Sequence, residues 1–197
     1  MGKIVVTEFV SLDGVMDDPG GSEGTRHGGW SFKFDRGPDG DKFKLDELDD
    51  AEAQLLGRVT YEGFAAAWPS REDEAGFARR MNSMRKYVVS STLSDADATW
   101  ENSEVVRPSE LAALKERVDG TLLVAGSTQL VHTLIQQGLV DVLRLMVFPI
   151  VLGEGRRVFP QLLDAARFTL TSCTTAGDGV LLLEYASSGS VVGSDLA

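Results

Sequence analysis

The chain is 197 residues long and 43% hydrophobic, and its 30 acidic against 19 basic side chains leave a formal net charge of -11. A surface so acidic repels nucleic-acid backbones and anionic bilayers, which argues against both as partners, and any anionic ligand must be held by local donors. The lone cysteine, Cys173, has no partner for an internal disulfide, as in proteins of a reducing compartment.

Length and hydrophobic content suit one core, and no Pro- or Ser-rich linker divides the chain. A single domain over residues 1–187 is expected, with 188–197 as a flexible tail. The chain opens directly on an apolar strand and no apolar run approaches membrane length. The expectation is an untargeted, cytoplasmic protein acting on a small molecule, with a homodimer left open.

Residues 3–10 are nearly continuous β-type sequence, the pattern of a strand buried on both faces. Residues 11–44 follow as a long glycine-rich loop carrying Trp30, Phe32, Phe34 and Phe43; loops of this length inside a compact domain are functional or disordered. An acidic helix is expected over residues 45–53, then a short strand at Gln54-Leu55-Leu56, and a helix after Gly57-Arg58-Val59 that Thr60 caps. A charged stretch runs to Arg80. Strands are expected at residues 86–91 and 104–106, and a helix from Ser109 to Val118 closed by Gly120. Leu123-Val124-Ala125-Gly126-Ser127-Thr128-Gln129-Leu130-Val131 then combines a strand, a glycine turn and a helix. The first turn of that helix offers unpaired N–H groups and the positive end of its dipole to an anion. Ser127 and Thr128 either cap it or bond phosphate. Residues 142–151 read as a strand of about ten residues, and residues 168–176 and 180–186 as a closing hairpin around Gly177-Asp178-Gly179. This order predicts a three-layer α/β/α fold whose mixed, mostly parallel sheet ends in antiparallel strands.

Three turns, at Gly57-Arg58-Val59-Thr60, Ser90-Ser91-Thr92 and Gly126-Ser127-Thr128, each follow an apolar strand, and parallel strands release such turns on one edge, where ligands bind. A guanidinium, several hydroxyls and two helix N-termini suit an extended ligand with phosphates in more than one place, as in a dinucleotide. Arg58 with a serine pair leans to a 2′-phosphate, since a plain ribose diol is more often met by a carboxylate. GxGxxG is absent from the first βα turn and GxxxxGK[ST] from the whole chain, which argues against a Rossmann or P-loop protein.

Leu56-Gly57-Arg58-Val59-Thr60-Tyr61-Glu62, Val88-Val89-Ser90-Ser91 and Val124-Ala125-Gly126-Ser127, in that order, resemble the dihydrofolate reductase fold. Ser11-Leu12-Asp13-Gly14, with Pro149-Ile150-Val151-Leu152-Gly153-Glu154-Gly155 late in the chain, resembles more closely the reductase domain of riboflavin biosynthesis, the RibD C-terminal family. The resemblance implies NADPH as cofactor. It would set Gly57, Arg58 and Thr60 on the phosphates, Ser90 and Ser91 toward the adenosine 2′-phosphate, and Gly126, Ser127, Thr128, Gln129 and Leu130 around the pyrophosphate. Val15 and Met16 would belong to a mobile loop beside the nicotinamide, residues 13–21; the glycines and acids of residues 13–29 supply little buried apolar area, so this longer stretch is expected to be mobile without ligands and to order over the nicotinamide. It further implies hydride transfer to a small polar heterocycle or carbonyl compound, pterin-like or pyrimidine-like, with 5-amino-6-ribosylamino-uracil phosphate among the candidates. A non-catalytic NADP(H)-binding module is the alternative. Residues 25–50 lack the Trp-Asn-x-Pro stretch and following acid that hold the pterin in dihydrofolate reductases, so dihydrofolate is not the expected substrate.

Hydride transfer needs a pocket that aligns the acceptor and a proton source for the atom left negative. Asp13, ending the first strand, is the candidate proton donor; its other reading is a turn aspartate bonded to local backbone. Glu8, inside an apolar strand, either faces the substrate pocket or is tied to a buried partner. Trp30, Phe34 and Phe64 either line an aromatic substrate pocket or serve as core. Asp13, Asp17, Asp18 and Glu23 lack the spacing of a calcium loop, so they read as a solvated acidic loop and no metal is expected.

Overall fold

A computed structural model of the chain describes residues 1–73, 76–159 and 165–190. Its centre is β1 (Lys3–Ser11), where only Lys3 is exposed. Even and odd positions feed different cores, because successive strand side chains point to opposite faces. Ile4, Val6 and Val10 pack with Leu111 and Leu114 of α4 (Leu111–Arg117) and with Leu130, Val131 and Leu134 of α5 (Thr128–Gln136). Val5 packs on the other face with Leu48 of α1 (Gly37–Asp49), Tyr61 of α2 (Arg58–Ala67) and Met81 of α3 (Phe77–Ser83). The chain is therefore the three-layer α/β/α sandwich that its periodicity predicts.

The remaining strands are β2 (Ala51–Gly57), β3 (Arg85–Val89), β4 (Ser103–Val106), β5 (Thr121–Ala125), β6 (Val142–Phe148), β7 (Ala166–Ala176) and β8 (Val180–Ser190). Among the described residues they form one sheet in the order β4-β3-β2-β5-β1-β6-β8-β7. The first six are parallel to their neighbours; β8 runs antiparallel to β6, and β7 to β8. One detail of register positions the site. The β1–β5 ladder ends at Thr7↔Ala125, whereas β1 stays paired with β6 from Glu8↔Leu145 to Ser11↔Phe148. Beyond Thr7 the two central strands stop pairing, and the crevice outside such carboxyl ends is where ligands of these sheets bind.

Several local expectations need correction. The helix expected over residues 45–53 is α1, running from Gly37 to Asp49 with Pro38 in its first turn, so the preceding loop is shorter and β2 starts at Ala51. Gly37, Pro38 and Gly40 read as loop, but Pro fits a first helical turn. Thr60 lies inside α2 rather than capping it. Ser109 sits in a 3-10 turn ahead of α4, where Glu110 instead accepts the Arg107 N–H at 2.7 Å. α3 lies in the stretch read only as charged. β6 stops at Phe148, before Pro149, which has no N–H for a ladder. β8 continues to Ser190, so residues 188–190 are strand; residues 191–197, the rest of the expected tail, lie outside the described residues. The hairpin turn falls where expected, and it requires glycine: Gly177 has φ 46, and a Cβ there would lie 2.0 Å from the Asp35 carbonyl oxygen. No helix of the described residues is long and apolar enough to cross a membrane.

Candidate active site

The three turns do converge. Parallel pairing sets Gly57 beside Val89, so the Gly57–Arg58 turn and Ser90 leave the sheet together. The Gly57 N–H donates to Ser127 Oγ at 2.9 Å, joining the first turn to the third across β5. Ser127 is thereby neither a helix cap nor a free hydroxyl. Its backbone is left-handed, φ 67, as is that of Gly126 at φ 66. A Cβ on Gly126 would come within 3.2 Å of Thr60 Cγ2, so only glycine leaves the main chain open between α2 and α5.

Neither α2 nor α5 has a side-chain cap; their first N–H groups are the unpaired donors that bind anions. Thr128 is buried, Gln129 is exposed, and the Leu130 side chain is core, so in this turn Leu130 offers only backbone. At the second turn Ser90 Oγ accepts the N–H groups of Thr92 (3.1 Å) and Leu93 (2.9 Å), and the exposed Ser91 stays open. Arg58, half exposed, pairs with Glu62 one helical turn on, at 2.9 Å.

A second guanidinium stands here that the sequence reading missed. Arg107 Nη1 donates to the carbonyls of Ser90 (2.8 Å) and Leu93 (3.2 Å). Its signal was available only through pairing: β4 runs parallel to β3 with Val106 opposite Val89, which sets the residue after β4 beside the residue after β3.

At the crevice, Glu8 is buried and accepts the Gly126 N–H through Oε2 at 3.2 Å. Burial pushes its carboxyl well above the usual carboxylate range, opposed by the Lys44 ammonium and the Gly126 N–H and reinforced by Glu47. Thr7, Lys44 and Glu47 form a closed ring on the α1 face. The Thr7 hydroxyl donates to Glu47 Oε1 (2.7 Å) and accepts from Lys44 Nζ (2.8 Å). The ammonium also lies 2.6 Å from Glu47 Oε2, an ion pair that falls off the line of a proper hydrogen bond. Lys44 and Glu47, unremarked as a pair in the sequence, meet because they lie three residues apart on one helix face.

Asp13 is held differently from expectation. Its carboxylate accepts the Ser11 hydroxyl (2.7 Å) and the N–H groups of Leu152 (3.1 Å) and Gly153 (2.9 Å). These donors, Ser11 foremost, lower it to about 2, so Asp13 is ionised and spent as an anchor between two loops. That geometry opposes its reading as proton donor. Its stabilising effect is present above the ordinary aspartate value of 3.8 and disappears as pH falls toward about 2. Asp13→Ala is expected to cost about 1–2 kcal/mol at neutral pH, reduced from a fully buried charged hydrogen-bond set by partial exposure. Urea unfolding across a pH series checks it: the gap to wild type should close as the medium becomes acid, and a gap independent of pH would contradict the assignment.

The loop after β1, expected to be mobile without ligand, is tied down at several points. Val15 and Met16 are buried, and Met16 N–H bonds the Arg156 carbonyl (2.9 Å) while Val158 N–H bonds that of Gly14 (3.0 Å). Arg156 pairs with Asp17 and with Glu23 at 2.5 Å, and Asp18 accepts from Glu23 and Thr25. The acids read as solvated are therefore the staples of this loop. A cavity of about 210 Å³ lies between it and the loop after β6, lined by Val15, Thr25, His27, Leu152 and Glu154. A larger one, about 530 Å³, lined by Ala65, Pro69, Asn82 and Trp100, touches none of the converging turns.

The aromatic candidates divide. Trp30 is 0% exposed, stacks edge-on against Phe148 at 5.3 Å and donates Nε1–H to the Asp17 carbonyl, so it is core and cannot stack on a ligand. Phe64 packs edge-on against Trp68, in the α1–α3 layer. Phe34 is half-buried against Phe148.

The profile of the RibD C-terminal domain family matches residues 2–182. The chain belongs to this family. The uncharacterized protein YyaP of Bacillus subtilis is 27% identical over 188 residues, covering 93% of this chain and 94% of its own. A putative riboflavin biosynthesis protein from Shewanella sp. PV-4 superposes with a TM-score of 0.74 at 19% identity, over 94% of this chain and 99% of that one. Dihydrofolate reductase from Enterococcus faecalis, complexed with NADP(H) and RAB-propyl, superposes with a TM-score of 0.59 at 18% identity, over 94% and 96% of the two chains. At these identities the likeness is one of fold, and the fold is the dihydrofolate-reductase-like sandwich expected from the sequence.

Proposed function

We propose that this protein is an NADPH-dependent reductase of a small polar heterocycle or carbonyl compound, pyrimidine-like or pterin-like, with 5-amino-6-ribosylamino-uracil phosphate as a first acceptor to assay. The observation that carries the reading is the convergence of two uncapped helix N-termini, the open Gly126 turn and two guanidinium groups on one sheet edge beside the crevice. The residues fit the cofactor: Gly126 leaves a cradle that a Cβ would fill, and α2 and α5 supply N–H groups for a pyrophosphate. Arg58, Ser90, Ser91 and Arg107 form the set for a 2′-phosphate. Dihydrofolate is a poor fit. Asp39, Asp41 and Asp46 on α1 are exposed, and the one buried acid there, Glu47, is already paired with Lys44.

NADPH is expected to bind more tightly than NADH by about one to two decades, because charge-assisted contacts to the 2′-phosphate contribute about 1.5–3 kcal/mol. Titration of both cofactors against wild type, Arg58→Ala and Arg107→Ala decides it. Both variants should lose preference rather than general affinity. Equal dissociation constants in the wild type would remove the assignment. Acceptor-dependent oxidation of NADPH then distinguishes a reductase from a module that only binds the nucleotide.

A further inference from the structure

The crevice holds a buried acid with an unused oxygen. Glu8 is the first residue beyond the last β1–β5 pair and is 4% exposed. Its Oε2 takes the Gly126 N–H, and its Oε1 has no hydrogen-bond partner. A buried carboxylate oxygen without a partner is costly, so the group favours its neutral form, which then carries an O–H in need of an acceptor. The charged groups that act on it are Lys44 and Glu47 of α1, which bond Thr7 on the other face of the strand. Lys44 opposes this, but its ammonium is also engaged by Thr7 and Glu47, and burial outweighs it. The sequence marks Glu8 as anomalous, an acid in an apolar strand, and the displacement of Asp13 leaves the proton of the reduction without a source.

Resting on the reductase reading above, we propose that Glu8 is the acid of the reaction, giving up its proton as the cofactor ring at the crevice turns cationic. When bound, NADPH supplies hydride, and its neutral dihydronicotinamide becomes a pyridinium. A positive charge arriving beside a carboxyl favours the ionised form. The Glu8 O–H bond breaks, and the proton forms an N–H or O–H bond on the acceptor atom left negative by hydride addition. Glu8 would be left as a carboxylate, still accepting the Gly126 N–H. After oxidised cofactor and product leave, burial again favours the neutral form, and Glu8 takes a proton from solvent.

The test needs no acceptor. If Glu8 senses the ring charge, NADP+ binding must release protons that NADPH binding does not. The 2′-phosphate, common to both, cancels in the difference. Calorimetric titration of each cofactor into the wild type, at a pH just above the ordinary carboxylate range and in two buffers of different ionisation enthalpy, measures this. The expected result is a release approaching one proton for NADP+ relative to NADPH, lost in Glu8→Gln, which keeps an acceptor for the Gly126 N–H but has no proton to give. Infrared difference spectra of the wild type give an independent reading: the C=O band of a neutral carboxylic acid should bleach with NADP+ and not with NADPH. Equal proton release for both cofactors, a difference that persists in Glu8→Gln, or an unchanged carboxyl band overturns the proposal while leaving the cofactor assignment intact. Failure of either cofactor to bind overturns both.

Discussion

Lys44→Ala is expected to destabilise the protein by about 3–5 kcal/mol, the usual cost of stranding one member of a buried ion pair. The Glu47 side chain is 1% exposed, and its Oε2 faces no cation other than Lys44 among the described residues. Without the ammonium the carboxylate keeps only the Thr7 hydroxyl, on Oε1, and water cannot reach it to compensate. Adding Glu47→Gln to Lys44→Ala should restore most of the stability by removing the uncompensated charge. Urea unfolding of the single and double variants, with equal denaturant slopes, measures both effects. A single-variant loss below about 1 kcal/mol, the value for exposed pairs, would mean that the ring is solvated in solution.

Gly126→Ala is expected to weaken NADPH binding by about two decades or more, since displacing the pyrophosphate from about two charge-assisted bonds forfeits about 1.5–3 kcal/mol each. The glycine holds φ at 66, where an L side chain costs about 1–2 kcal/mol, and the new Cβ would press on Thr60 at 3.2 Å and occupy the approach to the main chain. Gly63→Ala is the control. Gly63 lies on α2 with nothing within 4 Å of an added Cβ, so alanine there should leave binding unchanged and raise helix stability by up to about 1 kcal/mol. Cofactor titrations on the two variants separate a local effect at the turn from general strain in the edge. Binding of NADPH to Gly126→Ala as tight as to wild type would take the pyrophosphate away from this turn.

Local periodicity carried most of the fold. The doubly apolar run of β1, the strand-turn-helix at residues 121–136, the glycine hairpin after β7 and the family resemblance were legible because each rests on a few neighbouring residues. Errors fell where local signals compete. Gly37, Pro38 and Gly40 look like loop yet begin α1, whose stability comes from burying Leu48 against the sheet rather than from propensity. Trp30 was as consistent with a ligand pocket as with core until Phe148, 118 positions away, closed over it.

The site depends on contacts between residues far apart in the chain. Glu8 and Gly126 are 118 residues apart and meet because β1 and β5 are neighbours that part at Thr7. Arg107 reaches Ser90 because β4 was added beside β3. Asp13 became an ionised anchor once Leu152 and Gly153 turned their N–H groups on it. Periodicity reports which face of an element is apolar; whether a polar group is a donor, an anchor or an acid depends on burial and on partners that other strands bring, and no window of sequence contains these.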